Sequence, residues 1–153
     1  MSYRILATGC DSTRDFAARL VGEIAPGEWR QLKEGGFAGE ISDFNRGVLL
    51  RLRECDSRDI MDAPFDADGA GRMADMLEDF LSLHLSDNLP AQRWIALSCL
   101  ALAFVFREPL HPVEVVKARV RMVDGRAAYF CPAREGDETL CGYCVCHPVS
   151  ELA

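Results

Sequence analysis

Apolar residues recur at helical spacing through the first two thirds of the chain and then switch to strict alternation. Phe16, Leu20 and Ile24 stand four apart behind Ser12 and Thr13, either of which can cap a helix, with Asp15 in the first turn. Pro26 and Gly27 predict the end of that helix, and a short segment carrying Trp29 and Leu32 leads on to "KEGG". Beyond it Phe37, Ile41, Phe44, Val48, Leu52 and Cys55 follow at steps of three and four. This is the best amphipathic pattern of the first half, and it places Cys55 on the core side. "CDSRDIMDAPFDADGAG" predicts a loop with at most one short turn. A further helix is expected from about Gly71 to Leu85, with Met73, Leu77, Phe80 and His84 on one stripe and Asp75, Glu78 and Asp79 mostly turned away. "SDNLP" breaks it. Pro90 suits the first position of the next helix, which ends at "REP" because Pro109 disfavours helical geometry at Glu108.

From Val115 to Val123 the period becomes two, with Lys117, Arg119 and Arg121 on one face and Val116, Ala118, Val120 and Met122 on the other. Asp124-Gly125 is a two-residue hairpin turn, since both residue types tolerate positive φ. A return strand from Arg126 to Cys131 then sets Val123 opposite Arg126, Val120 opposite Tyr129 and Ala118 opposite Cys131. The fold expected is mainly α: one domain over residues 1–153, four to five helices around the Trp94 to Phe106 segment, with a small C-terminal β-hairpin and cysteine knuckle packed on it. Residues 1–108 form the helical part and 109–153 the hairpin and cysteine-rich segment.

Length agrees with a single core, because 153 residues bury roughly 70% of the surface the unfolded chain exposes. The net charge of −7 concentrates in the middle: Glu54 to Asn88 holds ten acidic residues against two arginines. An acidic belt argues against nucleic acid as a partner, which needs a basic face, and reads as a solvated helix face and loop. The strip of Lys117, Arg119, Arg121 and Arg126 reads as the solvated face of an edge hairpin. "WIALSCLALAFVF", Trp94 to Phe106, is 13 residues long, short of a bilayer span, so no membrane partner is expected. The opening "MSYRILATGCDSTRDF" lacks the apolar core of a secretory signal, and the expected location is cytoplasmic.

Seven cysteines, an odd number, in an intracellular chain favour reduced thiols or metal ligands over a disulfide framework. Four of them, Cys131, Cys141, Cys144 and Cys146, lie within 16 residues, with His147 adjoining and His111 just ahead of the hairpin. "CGYC" has the spacing of a zinc knuckle, in which a tight turn aims two thiolates at one ion, and the hairpin brings in Cys131 as a third. The fourth ligand is open among Cys146, His147, His111 and water. Zinc is the favoured occupant; an iron–sulfur cluster is the lesser alternative, because thiolate softness does not separate the two. Against metal stand inert, packed thiols, and redox chemistry of the Cys141–Cys144 pair.

His111, between two prolines in "PLHPVE", reads on its own as a hydrogen-bonded loop residue ahead of a ligand, and His84 as a satisfied core histidine. Cys10 and Cys99 carry no motif, and Cys99 reads as packing. Asp62, Asp66 and Asp68 lack the spacing and terminal Glu of a calcium loop. No Walker loop, dinucleotide fingerprint or nucleophile elbow occurs.

The stretch "FREPLHPVEVVKARVRMVDGRAAYFCPAREGDETLCGYCVCHP", Phe106 to Pro148, resembles the C-terminal signature of an archaeal protein family, mainly from methanogens, named domain of unknown function 2115. The likeness lies in "PLHP" after a long helix, in "YFCP", and in the "CGYC" that follows. It covers about a third of the chain. The resemblance implies a mostly helical fold and carries Cys131, Cys141, Cys144 and His111 as matching positions, with Cys146 and His147 outside the shared pattern. It implies no reaction. The function expected is therefore a metal-stabilised interaction or regulatory module, with an unidentified protein as partner. The alternatives are a metal- or thiol-dependent enzyme using the cluster, or an iron–sulfur or redox sensor.

Overall fold

The computed structural model describes residues 2–35, 43–55, 57–60, 63–84, 87–108, 110, 119–123 and 125–130. It is mainly helical. A 3₁₀ segment, Tyr3–Ala7, precedes α1 (Thr13–Gly22), α2 (Pro26–Lys33), α3 (Asp43–Glu54), α4 (Ala67–His84) and α5 (Leu89–Ala101). A π-helical turn, Leu102–Phe106, continues α5, and β1 (Arg119–Val123) and β2 (Arg126–Phe130) follow.

Local chemistry fixes most of the helix ends. Ser12 Oγ accepts the amide of Asp15 at 3.2 Å, which caps α1 as its sequence predicts. Pro26 departs from expectation: it opens α2 at the first helical position, where a missing N–H costs nothing, and Trp29 and Leu32 become its buried face. Glu28 reaches back to the Ala25 amide at 3.2 Å. α4 starts four residues earlier than the pattern suggested, because Asp66 Oδ1 accepts the Gly69 amide at 2.9 Å and so turns the acidic loop into a cap. Asn88 caps α5 in the same way, accepting from Ala91 at 3.1 Å, with Pro90 in the first turn.

Leu89–Phe106 is an 18-residue run of mean hydropathy 1.5, long and apolar enough by composition to cross a bilayer, and 67% of it is buried inside this protein. It is the core helix. Trp94, Leu97, Leu100 and Leu102 are essentially sealed from solvent, packed with Phe16, Leu20, Leu32, Leu49, Met73 and Leu77. The α4 stripe is corrected by one residue: Leu81 is 3% exposed and faces the core, whereas Phe80 is 47% exposed. The side chain of His84, the last member of the predicted stripe, lies outside the described part. Cys55 is half-buried against the core, and Cys99 is buried in α5, both on the side expected.

Distant segments are tied by polar contacts. Thr13 donates both its amide and its hydroxyl to the Ala63 carbonyl, at 3.2 and 3.3 Å, and Phe16 stacks on Phe65 with ring centroids 4.4 Å apart. Arg19 reaches back to the carbonyls of Ile5, Leu6 and Thr8, a cation placed on the free carbonyl end of the 3₁₀ segment. Arg4 crosses to Asp75 on α4 at 2.7 Å, passing over Gly71, whose missing side chain leaves room for the guanidinium. Arg51 on α3 grips the end of the π turn, lying 3.9 Å from the Phe106 ring centroid and making a two-pronged ion pair with Glu108 at 2.7 and 3.0 Å. Arg107 between them takes a left-handed conformation, φ 54°.

β1 and β2 pair antiparallel, Val123 with Arg126, Val120 with Tyr129 and Arg119 with Phe130, around Gly125 at φ 78°. The predicted pairing of Ala118 with Cys131, the cysteine knuckle and its packing on the helices all fall outside the described residues.

Candidate functional site

All six predicted ligands, Cys131, Cys141, Cys144, Cys146, His147 and His111, lie outside the described residues. Two of them adjoin described structure. β2 ends at Phe130, so Cys131 is the next residue of the chain, and His111 follows the buried Leu110. Among the described residues, no group of three or more His, Cys, Asp or Glu side chains is placed to hold a metal ion.

The remaining cysteines are dispersed. Cys10 is buried and donates to the Leu6 carbonyl at 3.6 Å. Burial pushes its thiol pKa up, Asp15 and Asp11 add to this, and Arg19 opposes it in part, so Cys10 is a poor nucleophile. Cys55 borders a shallow groove of about 460 Å³ on α3, with Gly47, Leu50, Arg51 and Glu54.

A polar network that no sequence motif announces joins α2 to α5. Glu28 Oε2 accepts the indole Nε1–H of Trp94 at 2.7 Å and pairs with the Arg93 guanidinium. Arg93 Nη1 also donates to the Glu23 carbonyl at 2.7 Å, which occupies an otherwise open carbonyl at the end of α1. Beside this network a pocket of about 320 Å³ opens between the 3₁₀ segment, α4 and the start of α5. Its walls are Tyr3, Glu78, Ser82, Leu89, Pro90, Gln92 and Arg93. Tyr3 belongs to the core, and burial raises its phenol pKa; the Arg93 charge works against that shift and the Glu78 charge with it. The phenol is therefore a neutral hydroxyl, able to donate and to accept. Sequence reading missed this pocket because its residues come from three separated segments. Only the hydroxyl of a core-facing tyrosine could have hinted at it.

Comparison with known proteins extends the C-terminal resemblance upstream. The UPF0305 protein MJ0646 of Methanocaldococcus jannaschii is 29% identical over 119 residues, covering 73% of this chain and 68% of that protein. No solved structure matches the chain. The family model for an uncharacterised protein conserved in archaea matches residues 37–148, a span that takes in α3, α4, α5, the hairpin and all six candidate ligands. By that match the chain belongs to the archaeal family named domain of unknown function 2115.

Proposed function

We propose that this chain is a small metal-stabilised interaction or regulatory module of a reducing, intracellular compartment. In this reading Zn²⁺ is held by the thiolates of Cys131, Cys141 and Cys144, with Cys146, His147 or His111 as the fourth ligand. The observation that carries the reading is the sequence spacing: C-x-x-C ten residues beyond a third cysteine that directly follows a hairpin strand. The family match spans every one of these positions. A structural ion would tie the last two dozen or so residues together, and its binding free energy would add directly to folding. The acidic middle of the chain favours a protein partner over nucleic acid.

Elemental analysis of protein purified without chelator tests this. Zinc near one equivalent per chain is expected, falling sharply in Cys144→Ser. Equal metal content in the two proteins removes Cys144 from the site, and iron with visible charge-transfer absorption replaces the zinc reading by an iron–sulfur one.

A further inference from the structure

The pocket between the 3₁₀ segment, α4 and α5 presents three oxygen groups that have no protein partner among the described residues. Tyr3 is 6% exposed and lines the pocket, and among the described residues its hydroxyl makes no hydrogen bond. The Glu78 carboxylate has no ion pair among the described residues, and the Ser82 hydroxyl has no bond there either. A buried hydroxyl left unpaired is costly, and such a group facing a cavity marks the place where a ligand or ordered water completes it.

The charge balance selects the ligand. Arg93 is the cation in the wall, and its guanidinium is already engaged by Glu28 and the Glu23 carbonyl. Glu78 is thus the charged group of the wall without an ion pair among the described residues, and an anion would meet it directly. A primary ammonium has three N–H donors and no acceptor, and it matches a carboxylate and two hydroxyl oxygens. Leu89 and Pro90 form an apolar edge against which a short alkyl chain can lie. The volume, at the lower end for small-molecule sites, suits a ligand of a few heavy atoms.

We infer that this pocket binds the head group of a small primary alkylamine, with Glu78 as counter-ion, Tyr3 and Ser82 as neutral acceptors, and Leu89 and Pro90 against the chain. The inference is independent of the cysteine cluster.

Titration of the full-length protein with n-butylammonium, followed by amide chemical shifts, tests it, with 1-butanol and butyrate as neutral and anionic controls. Millimolar binding is expected, centred on Glu78, Ser82 and Arg93, well inside the ceiling of roughly 1.5 kcal/mol per heavy atom for so small a ligand. Glu78→Gln keeps the shape and should weaken binding about tenfold or more, as loss of a charge-assisted bond does. Tyr3→Phe keeps the ring in the core and should weaken it by a smaller factor. Equal binding of 1-butanol, preference for butyrate, shifts centred elsewhere, or no response to the amine in the millimolar range each overturn the inference.

Discussion

The indole nitrogen of Trp94, the largest fully buried side chain, donates its proton to the carboxylate of Glu28 at 2.7 Å. The same oxygen pairs with Arg93, so one side chain on an eight-residue helix neutralises a cation and satisfies the only polar atom of the central tryptophan side chain. Truncating it strands both. Glu28→Ala should therefore destabilise the protein by about 2–4 kcal/mol, the cost of an orphaned buried donor beside an unpaired charge. Glu28→Gln, which keeps an acceptor for the indole, should cost about 1 kcal/mol. Urea midpoints of the two variants check the ordering, and equal losses would mean that the charge, not the indole bond, dominates.

Leu81 rather than Phe80 faces the core from α4. Leu81→Ala should lose about 2–4 kcal/mol through transfer and cavity terms, while Phe80→Ala, at a half-exposed position, should lose less than about 1 kcal/mol. The reverse order in thermal denaturation would restore the stripe first expected from the sequence.

Arg107 holds a left-handed backbone at the end of the π turn, a conformation in which a side chain crowds the carbonyl and glycine does not. Arg107→Gly should raise stability by about 0.5–1 kcal/mol, a rise in Tm of about 1–4 °C, whereas Arg107→Ala should change little. A Tm below wild type for the glycine variant would show that the Arg107 side chain contributes more than its backbone costs.

The phenol of Tyr3 titrates above its ordinary value of 10.0 because burial disfavours the phenolate. The folded chain thus holds this proton more tightly than the unfolded chain. That contribution to stability is complete below about pH 10 and is lost as pH climbs through the raised folded value. Tyr3→Phe removes it. Only the wild type loses stability across this alkaline range, so the denaturation midpoint of Tyr3→Phe relative to wild type should rise with pH, and a constant difference would place the phenol in contact with water.

Local signals were readable in the sequence and distant ones were not. Ser12, Pro90 and the three-and-four spacing of Val48 and Leu52 act within a turn or two of themselves, and α1, α3 and α5 follow them closely. Pro26 was ambiguous because proline both stops one helix and starts the next, and α2 is too short for periodicity to decide. On a helical wheel Phe80 and Leu81 both lie close to the direction of Leu77, so hydrophobicity could not choose between them. The choice falls to what packs against α4, chiefly the 3₁₀ segment and α5. Glu28 looks like any acid in a first turn; its partners are 65 and 66 residues away, beyond the reach of any local pattern. The cysteine cluster was the reverse case, conspicuous as spacing and outside the described residues.

Sequence similarity to the family begins at residue 37, yet Tyr3, Leu6, Phe16, Leu20, Trp29 and Leu32 are buried in the same core as the matched helices. A fragment cut at the edge of the shared region would leave the Trp94 indole without its carboxylate and Phe65 without the ring it stacks on. The boundary of kinship and the boundary of the folding unit are thus different lines on this chain, and a minimal expression fragment has to follow the second.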